Sequence, residues 1–209
     1  MTQPARPRSI GVLISGRGSN LQSIIDAIAA RRLDATIAVV VSNRADAQGL
    51  DRARHAGIDA VHLSPRTYSD RDAYDQALAE LLLSRGLRLV CLAGFMRLVG
   101  RPLLDAFPNR ILNIHPSLLP SFPGLDAQRQ ALEHGVRVTG ATVHLVNAEL
   151  DAGPIVLQAA VPVLDADTVE TLSARVLVEE HRLYPDAIGL ILDGGWSIVG
   201  RRIVRAAVP

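Results

Sequence analysis

The chain has 209 residues, 48% of them apolar, which supports one domain of ordinary size with a substantial core and excludes global disorder. With 22 basic and 21 acidic residues the formal net charge is +1, and aromatics make up only 3%, so the basic footprint and stacking platforms of a nucleic-acid binder are missing. Every basic residue is Arg, and the absence of Lys excludes Schiff-base chemistry by the protein and any phosphate loop that depends on Lys.

Residues 1–8 read as a loose tail without the apolar stretch of a signal peptide. "SIGVLIS" is then a short buried strand that ends at "GRGSN", and "LQSIIDAIAARR" has helical spacing. "ATIAVVVSN" is a second strand, "ADAQGLDRARHAG" a helix, and "IDAVHLS" a short third strand. The helix "SDRDAYDQALAELLLSRG" leads to the strand "LRLVCLAGF", where Cys91 reads as a small buried hydrophobe. One Cys allows no intrachain disulfide and no Cys-cluster zinc site, and it fits a reducing compartment. After "RPLLDAFP" comes the strand "RILNIH". Continuous apolar strands alternating with helices indicate a Rossmann-like, mostly parallel α/β sheet covered on both faces.

The second half differs. "TGATVHLVN" and "GPIVLQAAVPVL" are joined by "AELDA", too short for a crossover helix, so they pair antiparallel or lie at a sheet edge. A long helix, "TVETLSARVLVEEHRLYPDAIGLIL", follows, with Pro185 as a candidate break. "DGGWSIVGRRIVR" reads as a terminal hairpin or paired strand. No apolar run approaches the roughly 18 residues of a membrane span, so a cytoplasmic protein without a membrane partner is expected.

Chemistry gathers at strand ends. Gly16 and Gly18 suit a tight turn, Ser19 or Asn20 can cap the following helix, and the turn is either structural or an anion site. A third Gly is missing, because Leu21 stands in its place, so a phosphate monoester fits better than a dinucleotide. In "ILNIHPS", alternation puts Ile111, Asn113 and His115 on one face, and Pro116 ends the ladder. Two polar side chains buried there without partners would cost several kcal/mol, about 2–7 for each group. A carboxylate partner is needed, and "NAELDAGP" supplies Asp151, with Glu149 expected on the solvent side of that loop.

An amide, an imidazole and a carboxylate suit acyl transfer without a covalent intermediate. The carboxylate should raise the His115 pKa above its ordinary value of about 6.5 and make the ring a general acid. No paired Ser or Cys nucleophile is evident, and six scattered His show no metal-ligand spacing, so no metal is expected. His144 shares a strand face with Thr142 and Val146. A structural role is favoured for it over support of the site, and His55, His62, His134 and His181 read as surface or packing residues.

"VLISGRGSNLQSIIDA", "VVSNRADAQGLDRARHAGI", "LAGFMRLV", "ILNIHPSLLPSFPG", "GATVHLVNAELDAGPIVLQ" and "ARVLVEEHRLYP" stand in the order found in the folate-dependent phosphoribosylglycinamide formyltransferases. The chain resembles that family over roughly residues 9 to 190, and residues 9–209 then form a single formyltransferase domain. The resemblance implies transfer of a formyl group from 10-formyltetrahydrofolate to the glycinamide amine of phosphoribosylglycinamide, by direct attack. It implies Asn113, His115 and Asp151 as the catalytic set. Gly18, Ser19, Asn20 and Glu180 would bind the phosphoribosyl substrate, and Arg71, Met96, Arg97, Leu98 and Val99 would border the folate.

This chain departs from the family pattern in three places. Asp126 and Gln128 stand in the loop after Gly124 where many relatives have histidines, Leu177 replaces a polar residue near the phosphate, and Ala152 replaces a Gly beside Asp151. A formyltetrahydrofolate deformylase or an aminoacyl-tRNA transformylase would be expected to carry an additional terminal domain. A nucleotide-binding oxidoreductase is disfavoured by the incomplete glycine pattern, and a non-catalytic phosphate-binding module by the intact polar set. Small-molecule substrates, no nucleic acid, and a monomer or homodimer are expected.

Overall fold

A computed structural model describes residues 8–205. Five of its apolar runs are the strands β1 (Ser9–Ile14), β2 (Thr36–Ser42), β3 (Ala60–His62), β4 (Leu89–Leu92) and β5 (Ile111–His115). Helices α1 (Ser19–Ala29), α2 (Gln48–His55), α3 (Arg71–Leu83) and α4 (Arg101–Ala106) lie between consecutive strands. Each helix returns the chain to the same end of the sheet, so β1 pairs parallel with β2 and β4, β2 with β3, and β4 with β5. Along the sheet these strands run β3-β2-β1-β4-β5, and the order reverses between β1 and β4. The loops leaving those two strands diverge there, opening a crevice at the carboxyl edge of the sheet.

The second half adds α5 (Ala127–Glu133), β6 (Val138–Leu145), β7 (Ile155–Pro162), α6 (Val169–Asp193), β8 (Trp196–Val199) and β9 (Arg202–Arg205). β6 is antiparallel to both β5 and β7. β8 and β9 form an antiparallel hairpin, attached to β7 by the Ile155–Arg202 pairing. Among the described residues the sheet thus has nine strands. Three details correct the sequence reading. The segment "RPLLDAFP", for which the sequence pattern indicates no element, forms the short helix α4, with Pro102 in its first turn. The segment read as a loop after Gly124 contains α5. Helix α6 runs unbroken for 25 residues through Pro185, because tertiary burial of Leu183, Tyr184, Ala187 and Ile188 outweighs one missing backbone donor.

Strand alternation separates two cores. Ile10, Val12 and Ile14 of β1, Cys91 of β4, and Leu112 and Ile114 of β5 pack with α1, α2 and α6. Leu13, Val90, Leu92 and Ile111 pack with Tyr74, Leu78 and Leu82 of α3 and Leu103 of α4. Asn113 and His115, in phase with Ile111, fall on this second face, as alternation predicts. Burial pushes the Cys91 thiol well up, which fits an inert packing residue.

Of the tail expected over residues 1–8, residues 1–7 lie outside the described span. Arg8 itself is fixed, pairing with Asp34 and, at 3.0 Å, with Asp193, while its carbonyl accepts from the Thr36 N–H. No helix among the described residues is long and apolar enough to cross a membrane.

Tyr184 links these layers. Its buried hydroxyl lies 2.9 Å from the Leu92 carbonyl and 3.0 Å from the Leu112 carbonyl, so one proton is shared between β4 and β5. Tyr184→Phe removes that donor without changing volume, and should lower unfolding stability by about 1–2 kcal/mol with an unchanged urea m-value. An unchanged urea midpoint would show that the hydroxyl carries no net stability.

Candidate active site

Strand β5 carries Asn113 and His115 to the carboxyl edge, and the antiparallel register of β6 sets His144 directly opposite Asn113. The loop from β6 to β7 then folds back over that edge. It can do so only because residue 153 is Gly: a Cβ there would stand 1.8 Å from the Leu145 carbonyl oxygen. Next to it, Asp151 takes a left-handed conformation with φ 49°. The fold-back places Asp151 Oδ2 3.4 Å from His115 Nδ1 and Oδ1 3.6 Å from His144 Nε2. Glu149 stays exposed, as expected.

The remaining bonds assign the protons. His115 Nε2 lies 2.8 Å from the Phe122 carbonyl, which can only accept, so that nitrogen carries hydrogen. By the same logic His144 Nδ1 donates to the Leu145 carbonyl at 3.0 Å, leaving Nε2 free to accept from Asn113 Nδ2 at 3.1 Å. The Gly124 N–H donates to Asp151 Oδ2 at 2.8 Å. His144 thus contacts both Asn113 and Asp151, a geometry open to the structural role favoured above and to support of the polar set. Its face-sharing with Thr142 was visible in the sequence, but the register opposite Asn113 was not.

Electrostatics supply a correction. Burial lowers the His115 pKa, and the Phe122 carbonyl and Asp151 only partly oppose it, so the shift is opposite to the one expected from the carboxylate alone. Burial also pushes Asp151 up, but the neighbouring His144 and His115 rings and the Gly124 N–H together hold it below the ordinary carboxylate range. The set at neutral pH is a neutral His115 beside an ionised Asp151.

At the end of β1, Gly18 sits at φ 70° and α1 has no side-chain cap, so its first turn keeps N–H groups without a capping acceptor, an arrangement that suits an anion. Gly49, missed by the sequence reading, makes this turn possible. A Cβ on Gly18 would stand 2.7 Å from the Gly49 Cα, and the Gly49 N–H donates to the Gly16 carbonyl. Ser19 opens α1, and Asn20, one residue on, donates from Nδ2 to Glu180 Oε2 of α6 at 2.8 Å. The Asn20 Oδ1 is buried and has no partner among the described residues. Leu177 lies half-buried on α6, one turn before Glu180. An open hollow of about 470 Å³ beside this turn is lined by Gln22, Gln48, Asp51, Arg52, His55 and Ala56. It contains none of the Asn113–Asp151 set.

Residues Met96, Arg97, Leu98 and Val99 lie in the loop between β4 and α4, across the β1/β4 crevice from the Gly18 turn. Met96 and Leu98 are 68% and 58% exposed, Val99 is half-buried, and the Arg97 guanidinium lies 4.8 Å above the Tyr74 ring. Arg71, at the start of α3, lies beside Gly100 at the end of this loop. Asp126 precedes α5 at φ 56° without capping it, and Gln128 lies within α5. His55 and His134 bond carbonyls of their own helices, His62 is exposed and His181 is half-buried on α6. Among the described residues no three His, Cys, Asp or Glu side chains are grouped to hold a metal.

A formyl transferase family model matches residues 8–188. The chain is 47% identical over 186 residues to the phosphoribosylglycinamide formyltransferase of Escherichia coli K12, covering 89% of this chain and 88% of that protein. It is 48% identical over 185 residues to the human trifunctional purine biosynthetic protein adenosine-3, covering 88% of this chain but 18% of that longer protein. Glycinamide ribonucleotide transformylase 1 from Symbiobacterium toebii superposes with a TM-score of 0.94 at 62% identity, covering 96% of this chain and 94% of the other.

Glu180 gives the site a measurable signature. Burial raises its pKa to about 6, only partly offset by the Asn20 amide. Because the folded pKa lies above the unfolded value, this group favours folding fully below pH 4.5 and loses that contribution as pH rises through about 6. Glu180→Gln should therefore stabilise the ligand-free protein at pH 8 by up to about 2 kcal/mol, with the gain vanishing near pH 4.5, as read by urea unfolding at both pH values.

Proposed function

Since the chain belongs to the formyl transferase family, we propose that it transfers a formyl group from 10-formyltetrahydrofolate to the glycinamide amine of 5-phosphoribosylglycinamide, a step of purine (IMP) biosynthesis. The observation that carries this reading is the convergence of Asn113, His115, His144 and Asp151 at one sheet edge. Among the described residues no Ser or Cys is hydrogen-bonded to either imidazole, which favours direct attack by the acceptor. A single domain over residues 9–209 carries the reaction in this reading. Its setting is the cytoplasm, where membranes retain charged small-molecule substrates of this kind.

The amine nitrogen attacks the formyl carbon, and the carbonyl oxygen becomes an oxyanion. One Asn113 amide hydrogen is engaged by His144, and the other is free to donate to that oxygen. His115 Nε2–H joins it once the Phe122 carbonyl gives way. The new ammonium has a proton to lose and the departing N10 of the folate needs one. Neutral His115 can take that proton at Nδ1, where the Asp151 charge stabilises the imidazolium that forms, and the ring gives its Nε2 proton to N10 as the C–N10 bond breaks. His115 is thus a base first and an acid second, a sequence that its lowered pKa suits better than a permanently charged ring.

The Gly18 turn would hold the substrate phosphate, and Asn20 with Glu180 the ribose, so the acceptor amine reaches the polar set from the β1 side. Met96 to Val99 and Arg71 would border the folate on the β4 side. Formyl transfer by the purified protein tests this: loss of 10-formyltetrahydrofolate should require phosphoribosylglycinamide. Loss without the acceptor would instead identify a deformylase, and no loss at all would overturn the proposal. His115→Ala and Asp151→Asn should lower kcat by about 10²–10⁴-fold while the KM for phosphoribosylglycinamide changes little. A wild-type turnover in either variant would remove these two residues from the mechanism.

A further inference from the structure

Residues 93–100 run from the end of β4 to the start of α4 without a strand ladder or a helix of their own. Beyond backbone bonds at its start, from the Ala93 N–H to the Leu13 carbonyl and from the Ser15 N–H to the Gly94 carbonyl, the position of this loop's backbone depends on side chains brought to it from elsewhere. Two such side chains stand at its two ends. Near the start, the Met96 N–H donates to Ser15 Oγ at 2.8 Å, and the Ser15 hydroxyl passes its own proton to Asn43 Oδ1 at 2.6 Å. The Ser15 N–H also donates to the Gly94 carbonyl at 3.0 Å. At the far end, the Gly100 N–H donates to Asp75 Oδ2 at 2.6 Å.

Asp75 belongs to α3 and is 1% exposed, an uncommon place for a carboxylate. The loop packs straight onto it: a Cβ on residue 100 would stand 2.6 Å from the same oxygen. The neighbouring α3 residue, Tyr74, offers its ring to Arg97 in the middle of the loop. Met96 to Val99 are thus strung between two buried side-chain acceptors, Ser15 just past β1 and Asp75 on α3. Ser15 has a second connection, since it is the residue immediately before the Gly16–Asn20 turn. Its hydroxyl joins that turn to the β4 loop across the reversal between β1 and β4, where the crevice opens.

We propose that Ser15 and Asp75 are positioning residues for the formyl donor, holding the Met96–Gly100 loop in register with the polar set without touching the donor themselves. This rests on the assignment of that loop to the folate side in the function proposed above. A bond that only stabilised the fold would affect both substrates alike. A bond that sets this loop should act on one of them.

The experiment is anaerobic calorimetric titration of the full chain with tetrahydrofolate, together with KM measurements for both substrates, on wild type, Ser15→Ala, Asp75→Ala and Asp75→Asn. Each Ala variant should weaken tetrahydrofolate binding and raise the donor KM about tenfold, with the KM for phosphoribosylglycinamide within about twofold of wild type. Asp75→Asn keeps an oxygen that can accept from the Gly100 N–H, and should stay within about threefold of wild type. Unchanged tetrahydrofolate binding in the Ala variants would overturn the proposal, as would a parallel rise of both KM values. An Asn variant as impaired as the Ala variant would also overturn it, because the charge and not the bond would then matter. Should Asp75→Ala fail to fold, Ser15→Ala decides the same question. Failure of wild type to bind tetrahydrofolate would instead remove the assigned function on which the proposal stands.

Discussion

The site depends on one buried carboxylate. Asp151 accepts a hydrogen bond from Gly124, faces two imidazoles, and sits on a loop that returns to the sheet only because Gly153 brings no side chain against the Leu145 carbonyl. Removing its carboxylate would leave His115 and His144 without that partner and the Gly124 N–H without its acceptor. Asp151 thus ties the loop between β6 and β7, the loop after β5 and the β5–β6 strand pair to one point.

The two buried carboxylates of the crevice are driven apart by their surroundings. Asp151 is buried, but the Gly124 N–H and the two neighbouring imidazole rings keep it ionised, below the ordinary range. Glu180 is buried with a single amide donor from Asn20 and rises to about 6. The first suits stabilisation of a transient imidazolium, the second hydrogen bonding to a neutral hydroxyl-bearing ligand. Between them, His115 is kept neutral by burial, which outweighs the pull of the Phe122 carbonyl and the Asp151 charge.

Sheet topology explains why these groups meet. Parallel pairing of β1, β4 and β5 sends their carboxyl ends to one edge, and the reversal of strand order between β1 and β4 opens the space there. The antiparallel strand β6 then contributes what a wholly parallel sheet would not: a residue, His144, paired directly with Asn113. Packing of α6 against α1 brings Glu180 to Asn20 across 160 positions of sequence. A polar cluster of this density is stable only because nearly every member finds a partner.

Local chemistry was legible in the sequence wherever one segment carried it whole. The parallel α/β class, the shared face of Asn113 and His115, the turn at Gly18 and the need for a carboxylate from "ELDAGP" all follow from period, glycine spacing and the cost of burying polar groups. Tertiary structure decided what depends on distant partners. It set His144 opposite Asn113 through strand register, and it reversed the sign of the His115 shift through burial that no single segment reveals. It also showed Gly49 to be the support of the Gly18 turn, and kept α6 intact through Pro185 because the buried face of that helix outweighed a lost donor. Periodicity and composition act along the chain, whereas register, desolvation and close approach act between segments, and only the folded chain brings those segments together.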